Sequence, residues 1–288
     1  MESSYKLCNR LFHGCGIAGM QMLDADSIPL VVTSPPFGTI RDYGGNPFYF
    51  KQMARELWRV VMPGGVVCWH VQDQITDGAE SGESIRQCVC FLELGFRLHT
   101  TLTVEGNKAS KFRNRYGQAI QHVFVLSKEK PRVFHPIEDV PNIGAGKIET
   151  YRERLKDGTR RIRHSVRTKP FRKRSVHWKY SVGTHNTKDR NAWDHPALMP
   201  EALAKDLIIS WSNDGDLVLD PMSGAATTAK MAYLNNRRYL GFEINREYHD
   251  LAVERMEMTT AAVNEQSQKH KRLRKVGTRI ESDEIGMA

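Results

Sequence analysis

The stretch that most limits what this chain can fold into is Leu217-Val218-Leu219-Asp220-Pro221-Met222-Ser223-Gly224. An apolar run stops at an acid, passes through a turn of proline and small residues, and enters Ser223–Leu234, which reads as a helix. Arg238–Ile244 reads as the next strand and contains Gly241-Phe242-Glu243, with Glu243 lying 23 positions after Asp220. Strand, turn, helix and strand in that order make one crossover unit of a parallel α/β sheet. In such units small residues let a ligand approach the helix N-terminus, and an acid at the next strand tip accepts hydrogen bonds from ribose hydroxyls. The turn after Asp220 has no GxGxxG, so a dinucleotide pyrophosphate is not the expected ligand there, and an adenosine compound without phosphates fits better. On these residues alone a plain strand–helix turn at Gly224 and a helix cap at Glu243 stay open as the alternative.

The rest of the chain supports an α/β architecture. Ile28–Thr33 is a buried-type strand stopped by Ser34-Pro35-Pro36. Phe50, Met53, Ala54, Leu57 and Val61 fall at helical spacing, and Pro63-Gly64-Gly65 ends that helix. Val66–Val71 is the next strand, and Ile85, Val89 and Leu92 mark a further helix with Gly95 as its stop. Strands follow around Phe96–Val104 and Ile120–Ser127; later, Glu201–Trp211 and Arg246–Met256 read as helices.

The net charge of +9 is unevenly spread. Between Lys147 and Arg190 fifteen Lys or Arg stand against four acids, a local charge of +11 that leaves −2 for the remainder. Such single-sign concentration suits a polyanion, although a solvated charged loop has the same composition. Apolar periodicity fades over the same region. The expected organisation is therefore two halves of one domain, 1–143 and 194–258, separated by a basic insertion, 144–193, and followed by a polar, mobile basic tail, 259–288. Five cysteines without a CxxC spacing argue against a disulfide framework or a metal site. No apolar run reaches the roughly 18–20 residues of a membrane span, and no signal peptide is legible, so a soluble, cytoplasmic protein is expected.

Thr33-Ser34-Pro35-Pro36-Phe37 is the stretch with the most chemical content. Two prolines after a buried strand fix the backbone and leave carbonyls without sheet partners. An exocyclic base amine is a poor nucleophile because its lone pair delocalises into the ring. Acceptors aimed at its hydrogens, here the Ser34 hydroxyl and the Pro35 carbonyl, draw the nitrogen towards a tetrahedral, more nucleophilic state. Phe37 offers a stacking face for a base flipped from a duplex. A plain proline-rich turn with Phe37 in the core is the competing reading of these five residues.

Taken together, the Thr33–Phe37 loop, Asp220–Thr228 (DPMSGAATT) and Gly241–Asn245 (GFEIN) resemble the N4-cytosine/N6-adenine DNA methylase family. His195-Pro196-Ala197 with Pro200-Glu201 is similar to that family's HPA-x-F-P-E stretch, and Arg59–Gly65 to its RVLKPGG segment. The resemblance spans roughly Pro29–Met256. It implies a Rossmann-like methyltransferase fold with a mixed, mostly parallel sheet. The catalytic loop precedes the cofactor turn, as in the family's circularly permuted β-type order. The implied cofactor is S-adenosyl-L-methionine, bound by Thr33, His195, Pro196, Asp220, Pro221, Met222, Gly224, Thr227, Thr228 and Glu243. The implied catalytic residues are Ser34, Pro35, Pro36 and Phe37. The implied partner is double-stranded DNA, gripped by Arg160, Arg161, Arg163, Arg167, Lys169, Arg172, Lys173 and Arg174, with the protein a monomer or homodimer.

Loops beginning with Ser go mainly with N4-cytosine in this family, those beginning with Asp with N6-adenine, so Ser34 points to cytosine. Cytosine C5 chemistry is not expected, because none of the five cysteines follows a proline as that family's nucleophile does. Two departures stand in the cofactor turn: Met222 replaces an aromatic residue, and Ala226 replaces a glycine. The Ala226 methyl is expected to crowd the cofactor. Activity is still expected, because Asp220, Gly224 and Glu243 are intact; the altered turn keeps an inactive nucleic-acid-binding module as the rival to the enzyme, alongside an N6-adenine methyltransferase.

Overall fold

The computed structural model describes residues 4–36, 48–107, 113–181, 187, 189, 192 and 198–285; for 4–5, 267 and 270–285 it describes the backbone alone. Strand β1 (Arg10–His13) leads into α1 (Gly16–Gln21), and β2 (Ile28–Thr33) is followed by α2 (Phe50–Val60) and β3 (Val61–Val71). A short hairpin, β4 (Ile75–Thr76) and β5 (Ala79–Glu80), precedes α3 (Glu83–Glu93), β6 (Arg97–Gly106) and β7 (Ile120–Ser127). Then come β8 (Glu138–Pro141), β9 (Ile148–Arg154), β10 (Arg160–Arg167), β11 (Phe171–Lys173) and β12 (His177–Tyr180). The last elements are α4 (Glu201–Trp211), β13 (Leu217–Asp220), α5 (Thr227–Leu234), β14 (Arg238–Glu243) and α6 (Arg246–Ile285).

Eight strands form one sheet in the order β1-β14-β13-β2-β3-β7-β6-β12, in which β7 runs antiparallel to both neighbours and every other pairing is parallel. The central strands read as near-continuous apolar runs because helices cover both faces. Along β2, Leu30 and Val32 point to one core with Leu203, Leu207 and Ala229. Ile28 and Val31 point to the other core with Met20, Leu57 and Phe91. Helices α1, α2 and α3 therefore lie on one face, and α4, α5 and α6 on the other.

Three elements differ from the sequence reading. Helix α3 forms where expected, but Ile85, Val89 and Leu92 are exposed, and its buried side is Ser84, Gln87, Cys88 and Phe91. The aromatic cluster decides this. Phe91 packs edge-on against Trp69, Phe50 and Phe96, and the Trp69 indole N–H donates to Gln87 Oε1 at 2.9 Å. Strand β12 lies inside the stretch expected to be insertion, yet it pairs with β6 and buries Trp178 in the main core. Beyond Met258, where a mobile tail was expected, the backbone continues helically to Ile285. Among the described residues no helix is long and apolar enough to cross a membrane.

Candidate active site

Parallel strands place their C-terminal ends side by side, so the turns after β1, β2, β13 and β14 converge on one edge of the sheet. A cleft opens there. One wall is Ser34, Pro35 and Pro36 after β2; the other is Asp220–Ala225, Thr227 and Thr228, with Glu243 at the tip of β14. Thr33 joins the walls. Its hydroxyl donates to Asp220 Oδ1 at 2.7 Å, across 187 residues of sequence, and Thr228 donates to the Val32 carbonyl at 3.1 Å. The loop after β2 and the turn after β13 are thus hydrogen-bonded into one site.

The sequence model of the DNA methylase family matches residues 28–254, which contain both walls. The chain belongs to the DNA methylase family. It is 44% identical over 237 residues to the orphan methyltransferase M.BamHII of Bacillus amyloliquefaciens, covering 80% of this chain and 89% of that protein. The DNA adenine methyltransferase YhdJ of Escherichia coli (strain K12) is 25% identical over 93% of this chain and 88% of its own. Among solved structures, the cytosine-N4-specific PvuII DNA methyltransferase superposes with a TM-score of 0.63 at 20% identity, covering 88% of this chain and 90% of that one. The putative DNA modification methylase TTHA0409 of Thermus thermophilus, solved with S-adenosyl-L-methionine, gives 0.58 at 21% identity, covering 87% and 95%. The mixed, mostly parallel sheet expected from sequence is the one observed in this chain, with the Ser34 loop ahead of the Asp220 turn.

The cleft is acidic. Asp220 and Glu243 are its two ionisable carboxylates, and its described lining holds no Lys, Arg or His. Burial pushes the Asp220 pKa up to about 6, against the hydrogen bonds from Thr33 and the Met222 amide. Burial also raises the Glu243 pKa, opposed by the amides of Asn245 and Gly224 that donate to its two oxygens at 2.9 and 2.7 Å. Among the described lining residues no cation balances a phosphate, and two buried carboxylates suit a ligand that brings hydroxyls and positive charge. A nucleoside sulfonium has that chemistry.

Pro221, Met222, Gly224, Thr227 and Thr228 line the cleft as expected. Phe37, His195 and Pro196 lie outside the described residues; their neighbours Pro36, Leu198 and Met199 line the cleft. Ala226 is a correction. It is fully buried in the core and absent from the cleft lining, so its methyl packs in the core and not in the cleft. Its cost is in the backbone, which is left-handed at φ 58°. The feature that favoured an inactive binding module therefore loses its force.

Sequence reasoning missed the β1–α1 turn. Cys15, Gly16 and Ile17 line the cleft, and the Gly14 amide donates to the Glu243 carbonyl at 2.8 Å. A Cβ at Gly16 would collide with the Pro221 carbonyl oxygen, so only glycine lets α1 approach the cofactor turn. The signal was present as Gly14-Cys15-Gly16-Ile17-Ala18-Gly19, a GxGxxG spacing between the short strand β1 and α1 that the sequence reading passed over.

A buried ion cluster behind the turn was missed as well. Arg255, 1% exposed, donates to the Ala225 carbonyl at 2.7 Å and the Thr227 hydroxyl at 3.0 Å. It also pairs with Asp189 at 2.6 Å and Glu201 at 2.5 Å, both shared with Lys230. Burial drives the Asp189 pKa up, but Lys230 and Arg255 outweigh it and hold the carboxylate ionised.

The expected DNA-binding cations divide by geometry. Arg174 is structural: it pairs with Asp139 and Asp206, donates to Tyr180 and lies over the Trp178 ring. Lys169 sits 3.5 Å from Glu138, and Arg161 sits 3.5 Å from Glu153. Arg160, Arg163, Arg167, Arg172 and Lys173 are exposed.

Proposed function

We propose that this DNA methyltransferase modifies the N4 amine of cytosine in double-stranded DNA, with S-adenosyl-L-methionine as methyl donor. The observation that carries the reading is the position of Ser34-Pro35-Pro36 across the cleft from the acidic turn, tied to it through Thr33 and Asp220. The cofactor supplies an electrophilic methyl group on a sulfonium. Asp220, Glu243 and the Gly224 turn bind its cationic, hydroxyl-bearing body. Ser34 and the Pro35 carbonyl accept the amine hydrogens, localise the nitrogen lone pair and align it for in-line attack. Phe37 is the proposed stacking partner of the flipped base, with His195 and Pro196 closing over the cofactor.

Ser34 favours cytosine over adenine; both bases are represented among the similar proteins, so the loop chemistry carries the choice. The test is incubation of the purified protein with S-adenosyl-L-methionine and mixed-sequence duplex, digestion to nucleosides, and mass identification of the product. N4-methylcytosine is expected; N6-methyladenine overturns the base, and no methylated nucleoside overturns the reading. Ser34→Ala should lower turnover about 100-fold, the scale of one lost oriented partner, while cofactor affinity stays within about twofold. Equal loss of both would remove Ser34 from the amine site.

A further inference from the structure

Strands β9 and β10 form a two-stranded antiparallel ribbon that is exposed along its whole length. Its two faces differ sharply in charge. Cross-strand partners share a face, and alternate residues along a strand swap faces. Glu149, Tyr151 and Glu153 therefore share one face with Arg161, His164 and Val166. Three side-chain contacts agree with that register. Tyr151 stacks on His164 with centroids 4.9 Å apart, Arg161 lies 3.5 Å from Glu153, and the Thr150 and Ser165 hydroxyls meet at 3.1 Å on the opposite face.

That opposite face carries Arg152, Arg154, Arg160 and Arg167 with Thr150, Ser165 and two exposed isoleucines, Ile148 and Ile162, and no acid. Both glutamates of the ribbon are on the other side, one of them spent on Arg161. Asp157, in the connecting turn, is engaged by the Thr159 amide at 2.9 Å and its hydroxyl at 2.6 Å. Among the described residues no ion pair involves Arg152, Arg154, Arg160 or Arg167. Arg167 alone touches backbone, donating to the Gly146 carbonyl at 3.2 Å. A bulge between Ile162 and His164 leaves Arg163 without a cross-strand partner, a device that re-aims a side chain.

We infer that the acid-free face of this ribbon enters the major groove of DNA, with Arg152, Arg154, Arg160 and Arg167 as its contacting cations. The inference rests on the proposed DNA substrate and goes beyond it by choosing the element, the face and the residues. Two strands about 4.8 Å apart fit a groove about 12 Å wide, and seven residues at about 3.3 Å each reach across roughly seven base pairs. Arginine forks are suited both to phosphate and to the guanine O6/N7 edge. Arg152 and Arg154 are absent from the expected cations because pairing with β10, not sequence proximity, brings them to this face. Arg161, expected to bind, is held on the other.

The test compares full-length wild type with Arg152, Arg154, Arg160 and Arg167 all changed to Gln. A control carries equal charge loss on the body, at Arg10, Arg97, Lys130 and Lys205. Cofactor affinity by calorimetry verifies folding of each. Duplex binding is measured from about 50 to 200 mM salt, and methylated nucleosides are counted. Loss of at least tenfold in duplex affinity is expected for the ribbon variant. Its log-affinity against log-salt slope should be shallower by up to about 3.6, near 0.9 for each of the four arginines that contacts phosphate, with the control unchanged. Wild-type affinity and slope in the ribbon variant overturn the inference while leaving the methyltransferase reading intact, as does an equal loss in the control. Ribbon-dependent binding with no methylated nucleoside from the wild type upholds the inference and overturns the substrate reading instead.

Discussion

Ala226 holds a left-handed backbone at the start of α5 with its methyl buried in the core. Its φ of 58° costs an L-residue about 1 kcal/mol, and glycine would remove that strain. Glycine would also lose a buried methyl worth about 0.8 kcal/mol and admit a floppier unfolded chain. Ala226→Gly should therefore be near neutral in a denaturant melt, within about 1 kcal/mol, with unchanged cofactor affinity. Cofactor binding more than threefold tighter would mean that the methyl does crowd the ligand.

Asp220 couples cofactor binding to pH. Its pKa of about 6 lies above the ordinary 3.8, so its contribution to apo stability is present at low pH and lost as pH rises through about 6. A bound cation favours the ionised form. Cofactor affinity should then rise from pH 5 to pH 7, by up to tenfold per unit below 6. Glu243, also raised by burial and facing His249, acts in the same direction. A flat calorimetric profile from pH 5 to 8 would show that Asp220 does not face the cofactor's positive charge.

At the scale of elements, the helices of the cofactor half are joined by charge as well as by apolar packing. Arg255 on α6 reaches Glu201 at the start of α4 and the turn that opens α5. Removing one partner of a buried pair leaves the other uncompensated, so Arg255→Met should cost about 3 kcal/mol in urea unfolding. It should also weaken cofactor binding by freeing the Ala225–Thr227 turn. A cost below about 1 kcal/mol would mean that Lys230 alone satisfies both acids. Element existence was legible throughout this half: Glu201–Trp211 and the strands flanking the turn lie where hydrophobic pattern put them. The faces of elements were less legible. The apolar stripe of α3 predicts the wrong buried side because Gln87 and Ser84 are drawn inward by the Trp69 indole and by Asp73, partners that pattern alone does not reveal.

Over the whole molecule, the cleft is assembled from residues near 15, 34, 199, 220 and 243, so its ligand ties both halves of the chain together. Binding only to the assembled fold should raise global stability: S-adenosyl-L-methionine at 100 times its Kd adds about 2.7 kcal/mol. For a domain of this size that corresponds to a rise of about 5 °C or more in a cooperative melt. No shift at saturation would mean that the cleft is not the cofactor site. Residue order was enough to establish the α/β class, the order of the two motifs, the family and the basic character of the segment after β7. Those properties reside in local pattern, where strand, turn and helix preferences and charge are read residue by residue. Folding in three dimensions had to supply the Thr33–Asp220 bond, the approach of Gly16 to Pro221, the Arg255 cluster and the division of arginines between two faces. Each of these depends on which strand lies beside which and in what register, and that is settled by burying two cores at once.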